Sequence, residues 1–390
     1  EILKGCHYKG GFDTVSIYLR NHPDSHFFAG KGLILGGSHS PSPLNQNAHC
    51  GDLSAVLLQN LKPLVNLIRV PDKKIILMDE WESKIKAIVE STWKADVNSL
   101  SGVPSWMLVL IKAVLQKAGS EYLTDVWPNM EVFFHGGISF EPYRDQYKAL
   151  IPSNRMHYME TYNASEGFFG LQDDPAEHSL LLMIDYGVFY EFIPINEVGR
   201  EHPTVLPLEA VEVGKNYAMV ITTSGGLWRY QIGDTIRFTS LYPHKFVISG
   251  RTKNFINAFG EELMVDNADK AISSVCRQTG AKVKEYTAAP LFMLDKAKGR
   301  HQWMIEFEKM PPSLDDFASL LDKALQQLNS DYEAKRYKEI SLQPLEIQVA
   351  REGTFYEWLR RKGKLGGQHK IPRLSNDRTF IEELEKIYNL

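Results

Sequence analysis

His157-Tyr158-Met159-Glu160-Thr161-Tyr162-Asn163-Ala164-Ser165-Glu166-Gly167 reads as a strand that gives way to a turn carrying a hydroxyl and a carboxylate. Two later segments share this construction, Tyr230-Gln231-Ile232-Gly233-Asp234 and Gly250-Arg251-Thr252-Lys253. Each sets a carboxylate or a cation beside a glycine where a strand-like run ends, and loops at strand ends are where a rigid scaffold displays chemistry. A carboxylate with no metal-binding cysteine or histidine beside it suits a hard ion such as Mg²⁺, held by one or two carboxylates together with substrate phosphates. A second carboxylate accepts hydrogen bonds from both hydroxyls of a ribose, and an arginine reaches the same nucleotide. Together the three segments read as an ATP site.

Upstream of this stretch, Glu131-Val132-Phe133-Phe134-His135 reads as a buried strand ending at Gly136-Gly137. Residues 81–93 read as an amphipathic helix, with Ile85, Ile88 and Val89 on one face and Lys84, Lys86 and Glu90 away from it. Residues 105–117 read as a more apolar helix behind Pro104, a residue suited to a first turn. Such alternation predicts an α/β layer on a largely parallel sheet. Residues 1–60 read as turns and short apolar runs such as Gly32-Leu33-Ile34-Leu35-Gly36.

Downstream, residues 180–184 and 188–193 flank Asp185-Tyr186-Gly187 like a β-hairpin, and 217–222 and 227–238 flank Ser224-Gly225-Gly226. Residues 180–249 therefore read as antiparallel β structure, a candidate barrel, appended to the α/β core. After Arg251, helices are predicted at 266–278 and 313–329, the second with a capping-box start at Ser313-Leu314-Asp315-Asp316. Strands are predicted near 283–288, 301–307 and 345–350, enough for a small α+β domain. The division that follows is a large domain over 1–250, a hinge at 251–253 and a C-terminal domain over 254–390.

Composition excludes several classes. A length of 390 residues allows two or three cores, and 43% apolar with 24% charged residues is ordinary for a globular chain. Forty-four basic against 48 acidic residues leave a net charge of −4, so nothing favours nucleic acid as a partner. Arg360-Arg361-Lys362 reads as a solvated helix end. Cys6, Cys50 and Cys276 form no Cys-x-x-Cys pair, which argues against disulfides or zinc and fits a reducing cytoplasm. No apolar run approaches the roughly 20 residues of a membrane span, and no signal-peptide pattern opens the sequence. Gly-x-Ser-x-Gly is absent, so serine-hydrolase chemistry has no support.

The order and wording of the three segments resemble the acyl-adenylate-forming superfamily of luciferases, acyl-CoA ligases and peptide-synthetase adenylation domains. Within it, Tyr162-Asn163-Ala164-Ser165-Glu166-Gly167 and Trp228-Arg229-Tyr230-Gln231-Ile232-Gly233-Asp234 are most similar to the Gretchen Hagen acyl acid–amido synthetases, first known as auxin-responsive plant proteins. The resemblance continues in Gln368-His369-Lys370-Ile371-Pro372-Arg373, where the family has a similar Gln-x-Lys-x-Pro-Arg. The family's Ser/Thr/Gly-rich phosphate loop has no counterpart in residues 1–60. Gly30-Lys31-Gly32 and Gly36-Gly37-Ser38-His39-Ser40 lack both Ser-Gly-Thr-Thr and the P-loop ending. The expectation is that the sequence begins after that loop.

The resemblance implies a role for each motif residue, and each also has a plainer reading. Tyr162 faces adenine, or fills the core as strand-end tyrosines do. Glu166 ligates Mg²⁺, or is a solvated turn carboxylate. Ser165 offers its hydroxyl to phosphate, or bonds within the turn. Asp234 binds the ribose, or belongs to an ordinary turn. Arg251 makes a second ribose contact, or a surface ion pair worth little. Gly136 and Gly137 admit adenine close to the backbone, or make a tight turn. His135 lines the acyl pocket, or is a satisfied strand-end residue. Lys370 is the implied catalytic residue, a cation placed against charge that develops on the α-phosphate and pyrophosphate; alone it would be a solvated loop lysine.

The expected fold is α/β, an adenylate-forming architecture with a mobile C-terminal domain. The expected reaction has two halves, in which a small-molecule carboxylic acid attacks MgATP to give acyl-AMP and an amine, by expectation an amino acid, displaces AMP. The C-terminal domain would swing about Lys253 between them. An acyl-CoA or aryl-CoA synthetase and a non-catalytic nucleotide-binding relative are the alternatives.

Overall fold

The computed structural model describes residues 2–37, 39–42, 45–61, 63–252, 255–259, 261–292, 299–336, 342–365 and 370–388. Lys253, the predicted hinge, lies outside them, as do Gln368 and His369.

Strands β1 (Lys31–Ile34), β2 (Arg69–Val70), β3 (Val97–Gly102), β4 (Val132–Gly136) and β5 (His157–Ala164) pair in parallel in the order β2-β1-β3-β4-β5. Parallel pairing needs crossover connections, and two of the helices that supply them are α2 (Trp81–Thr92) and α3 (Pro104–Ala118). Pro104 opens α3, where its missing N–H costs nothing, and Gly119 ends it at φ 68, a left-handed position that glycine adopts freely. Met107, Leu110, Ile111 and Val114 of α3 are fully buried with Leu33, Leu100 and Phe133 of the strands. Truncating any of these large side chains costs about 2–5 kcal/mol.

Beyond β5 the same sheet turns antiparallel. Strands β6 (Gly167–Leu171), β7 (Leu180–Leu182), β8 (Val188–Pro194), β9 (Leu206–Pro207), β10 (Asn216–Thr223), β11 (Tyr230–Leu241) and β12 (His244–Arg251) continue it in the order β5-β6-β7-β12-β11-β10-β8-β9. The sequence expectation of a separate barrel is thus corrected: one twelve-stranded sheet runs through both halves. The hairpin expected around Asp185-Tyr186-Gly187 is also corrected. β7 pairs with β6 and β12, while β8 pairs with β9 and β10. Both runs have strand composition, but local alternation does not say which neighbour a strand will choose. The hairpin across Ser224-Gly225-Gly226 is present, as β10 and β11.

Two other readings change. Residues 1–60 hold a helix, α1 (Lys9–Asn21), which glycines at 10 and 11 hid from the sequence reading. Gly10 is there because the α1 backbone lies on the Phe168 ring, 2.4 Å from where a Cβ would sit. Lys84, expected on the solvent face of α2, is buried, and its ammonium donates to the carbonyls of Gly36 at 2.7 Å and Gly37 at 3.1 Å. It falls on the helical face of Trp81 and Ile88, three and four residues away, and a lysine there needs buried acceptors.

The C-terminal part forms a three-stranded sheet of β13 (Lys282–Phe292), β14 (Gly299–Lys309) and β15 (Glu346–Ala350), with α4 (Val265–Thr279) and α5 (Leu314–Leu328) packed on it. Ser313 caps α5, its hydroxyl accepting from the Asp316 amide at 3.2 Å. Two further helices, α6 (Thr354–Arg361) and α7 (Thr379–Tyr388), went unrecognised in the sequence. Phe355 and Trp358 of α6 and Ile381 and Leu384 of α7 join the core cluster that contains Trp81, Trp106 and Leu108. The C-terminal part is therefore docked on the first by apolar burial.

Candidate active site

A cleft of about 2060 Å³ opens between the ends of the central strands and the C-terminal part. Gly136 and Gly137 follow β4, Ser165 and Glu166 turn between β5 and β6, Asp234 sits early in β11, and Arg251 ends β12. Lys370 enters from the C-terminal part, and all of these residues, with Tyr162, line the cleft. The fold thus brings together every sequence-predicted site residue among the described ones.

Asp234 is the hub. Its Oδ2 accepts from the Tyr162 hydroxyl at 2.5 Å, and its Oδ1 lies 3.0 Å from Nε of Arg251, its cross-strand partner. Gly233 before it has φ 84 and packs under the Arg251 guanidinium, 3.6 Å from a Cβ position there. The ring of Tyr162 is buried, edge-on to Phe169 at 5.1 Å and to Phe246 at 6.1 Å. Burial first, and the Asp234 carboxylate next, hold its phenol well above the usual range, so it remains a donor.

The two glycines differ in what they permit. A Cβ on Gly136 would stand 2.3 Å from the Thr161 carbonyl oxygen, so β4 and β5 can approach only because that atom is missing. Gly137 has φ 85 and lies under Lys370, whose Cε and Nζ are 3.8 and 4.0 Å from its Cβ position. Lys370 is open to the solvent of the cleft but hemmed in by its walls. That crowding lowers its pKa, with Asp234 opposing the shift and Arg251 adding to it. Ser165 is exposed and Glu166 partly so. Neither side chain bonds to a described residue, so both are free to meet a ligand. One wall of the cleft thus carries two cations and two carboxylates around a left-handed glycine, an arrangement able to bind a sugar and a run of phosphates.

Family models match three consecutive stretches of the chain: the GH3 family N-terminal domain over residues 7–156, the central domain over 181–251 and the C-terminal domain over 266–379. The chain belongs to the GH3 family. It is 29% identical over 287 residues to the indole-3-acetic acid-amido synthetase GH3.3 of Arabidopsis thaliana, covering 67% of this chain and 46% of that protein. It is 25% identical over 347 residues to the 4-substituted benzoates-glutamate ligase GH3.12 of the same plant, covering 80% and 59%. The chain spans about half the length of the curated relatives it matches. The solved GH3.15 acyl acid amido synthetase shares the fold, with a TM-score of 0.77 over 99% of this chain and 77% of that one, at 18% identity.

Two cleft-side residues of this GH3 chain, Glu160 and Arg144, were not singled out from sequence. Glu160 also lines the cleft, and burial pushes its carboxyl up to about 7, with Arg144 opposing and Asp266 adding. Arg144 lies beside it, after the Phe140-Glu141-Pro142-Tyr143 turn. His135 is buried and its pKa falls to about 3, burial and Arg144 both acting. Strand periodicity could have found Glu160, which shares a face with Tyr162 two residues on. Nothing local could have found Arg144.

Proposed function

We propose that the protein is an ATP-dependent acyl acid–amido synthetase, which adenylates a small-molecule carboxylic acid and passes the acyl group to an amine, an amino acid. The observation that carries this reading is the convergence of Asp234, Arg251, Gly137 and Lys370, from two sheet regions and the C-terminal segment, on one cleft wall. The names of the two plant relatives, one acting on indole-3-acetic acid and one joining benzoates to glutamate, support the same chemistry.

In the first half-reaction the ribose hydroxyls of ATP donate to Asp234, which Tyr162 and Arg251 hold in place. Lys370 faces the α-phosphate, where negative charge grows as the substrate carboxylate attacks and pyrophosphate leaves. A fixed cation there lowers the barrier because it is oriented before the reaction begins. Burial lowers its pKa first, with Arg251 adding and Asp234 opposing, and phosphates brought beside it would favour its charged form. In the second half-reaction the amine attacks the acyl carbon and AMP departs.

Among the described residues no three His, Cys, Asp or Glu side chains converge as a metal site. Mg²⁺ fits in the other usual way, on one free carboxylate plus substrate phosphates, and Glu166 is that carboxylate. When bound, the ion would neutralise phosphate charge. We place the boundary between the two parts at residues 251–253, with Lys253 as the hinge, and the protein in the cytoplasm, the second from the unpaired cysteine pattern. No helix among the described residues is long and apolar enough to cross a membrane.

The test is ATP–pyrophosphate exchange over a panel of aryl and alkyl acids, followed by product analysis with the twenty amino acids or coenzyme A supplied separately. Acid-dependent exchange and an amide product are expected. A thioester product would move the protein to the acyl-CoA ligases, and absence of exchange would leave only nucleotide binding.

A further inference from the structure

Behind the cleft lies a second, smaller pocket of about 190 Å³. It forms where β5 and β6 part beyond Gln172, and His135, Arg144, Tyr158, Glu160, Gln172 and His178 line it. His135, Arg144, Glu160 and His178 also line the main cleft, so the two spaces adjoin along these side chains.

The chemistry of this pocket is unusual for unused space. Nδ1 of His135 and the hydroxyl of Tyr158 are buried with no hydrogen-bond partner among the described residues. A buried polar group without a partner is costly, and two facing one pocket indicate a polar occupant. Arg144 is held in one orientation, its Nε donating to Glu141 at 2.9 Å and its guanidinium 4.9 Å from the Phe140 ring centroid. Its two Nη groups bond to no described residue. The Glu160 carboxylate likewise accepts no hydrogen bond from a described residue and forms no ion pair with Arg144, although each acts on the field of the other. A cation and an anion therefore face one space without satisfying each other.

We propose that this pocket is the acceptor subsite, where Arg144 binds the carboxylate of a zwitterionic amino acid and Glu160 binds its ammonium group and accepts the proton it must lose. The inference rests on the function proposed above. The volume is about six times the roughly 30 Å³ that one water occupies in the liquid, enough for an amino-acid backbone. Glu160 repels the carboxylate of the acyl substrate and the phosphates of ATP, which leaves an ammonium as the fitting partner. Because Glu160 also lines the cleft, the nitrogen it holds lies on the side from which the acyl carbon is reached.

The step balances without another reactant. Glu160 accepts one proton from the ammonium, which frees the nitrogen lone pair, and passes that proton to cleft water. The lone pair forms the C–N bond, the bond from acyl carbon to phosphate oxygen breaks, and its electron pair leaves with AMP. The second proton, acidic once the C–N bond exists, follows the same route. The titratable groups around the pocket are Arg144, His135, His178, Tyr158, Tyr18, His22 and His157, with Asp266 acting from the cleft side, and burial raises the Glu160 carboxyl to about 7. A general base works best with a pKa close to the working pH.

The experiment uses the full chain with Glu160→Gln and Arg144→Ala, and three nucleophiles: the fastest-conjugating amino acid, its primary carboxamide, and hydroxylamine. Hydroxylamine is uncharged at pH 7 and has no carboxylate, so it needs neither side chain. Both variants should keep ATP–pyrophosphate exchange and hydroxylamine capture of acyl-AMP. Glu160→Gln should lower kcat for the amino acid by about 10²–10⁴-fold, the usual span for losing a general base. Its rate should climb with pH where the wild type levels off above 7. Arg144→Ala should raise KM for the amino acid at least about tenfold, the least expected on losing a hydrogen bond to a charged group, and leave its carboxamide unaffected. Equal losses with all three nucleophiles would overturn the assignment, as would a raised KM for the acid or for ATP, which would move the pair to another subsite. A wild type that captures acyl-AMP with hydroxylamine but conjugates no amino acid would overturn the acceptor class alone. Absence of exchange in the wild type would overturn the adenylation reading beneath it.

Discussion

The hydroxyl of Tyr143, just beyond β4, accepts a hydrogen bond from Nη2 of Arg373 in the C-terminal segment at 2.8 Å. Arg373 is otherwise held from its own side, by Glu285 of β13 at 3.0 Å and by the Tyr286 ring 4.4 Å away. Its backbone is bonded to β13 as well, since the Ala288 amide donates to the Arg373 carbonyl at 2.8 Å and the Thr287 hydroxyl to the Pro372 carbonyl at 2.7 Å. The segment that carries Lys370 is thus strapped to one sheet and held to the other part of the molecule by the Tyr143 phenol and by burial of Ile371 in the first core. Tyr143→Phe removes only the hydrogen bond. Loss of one hydrogen bond to a charged group costs about 1.5–3 kcal/mol, so acyl-AMP formation should slow by about 10–100-fold. Aminolysis of supplied acyl-AMP should not slow, and parallel losses in both steps would mean that the bond holds the fold and not the lysine.

Lys370→Ala should slow acyl-AMP formation by about 10²–10³-fold, the usual scale for one transition-state electrostatic contact. Once pyrophosphate has left, the lysine has no partner to stabilise. Aminolysis of isolated acyl-AMP should therefore run near the wild-type rate. Quenched-flow measurement of each half-reaction separates the two.

Asp234→Ala should weaken AMP and ATP binding alike, by about 10²–10⁴-fold for two charge-assisted hydrogen bonds lost. Tyr162→Phe, which keeps the ring and removes the hydroxyl that holds Asp234, should produce a smaller loss of the same kind. Glu166→Gln should weaken ATP only, and only when Mg²⁺ is present. Calorimetric titration with and without Mg²⁺ checks all three, and unchanged affinities would remove the nucleotide from this wall.

Gly136→Ala should destabilise the fold by at least about 1–3 kcal/mol, the usual penalty of overpacking, because the new methyl meets a backbone oxygen that cannot rotate away. Gly137→Ala should destabilise through its positive φ instead, and less. Urea midpoints at constant m-value give the comparison.

Lys84 gives a stability change with a definite sign. Burial lowers its pKa to about 8, with Asp52 opposing, so between pH 8 and the ordinary lysine value the folded state binds fewer protons than the unfolded one. Stability from this group therefore rises with pH through that window. Other groups titrate there too, so the readout is a difference: wild type should gain on Lys84→Met as pH rises from 8 to 10. A constant difference would mean that Lys84 remains charged at its carbonyl partners.

Much of the cleft was legible because its residues sit in short motifs at strand ends. The Tyr162–Glu166 turn and the Gly233-Asp234 pair carry their chemistry and their turn residues side by side. Strands 132–136 and 157–164 and helices 81–92 and 104–118 could be read from periodicity, since their packing faces repeat locally. The misreadings have one physical cause: which strand lies beside which is settled by tertiary burial. β7 and β8 are near neighbours in sequence and pair with different strands. Lys84 has the charge of a surface residue and the helical phase of a core one, and phase prevailed because two carbonyls were waiting. Glu160 and Arg144 were missed because their meaning depends on a pocket that 16 residues of sequence separation do not reveal.

The twelve-stranded sheet has a seam. Within its antiparallel half it narrows at β7, three residues long, which registers two residues with β6 and two with β12. A sheet pulled apart would tear there first. Tyr162 stands on one side of this seam and Asp234 on the other, and their hydrogen bond crosses it. A nucleotide held by both acts as a rivet, and by linkage its binding energy adds to the cohesion of the joint. The empty protein is then weakest along the line where its cargo would sit, and loading it should protect the amides of residues 180–182 from hydrogen exchange more than those of the outer strands.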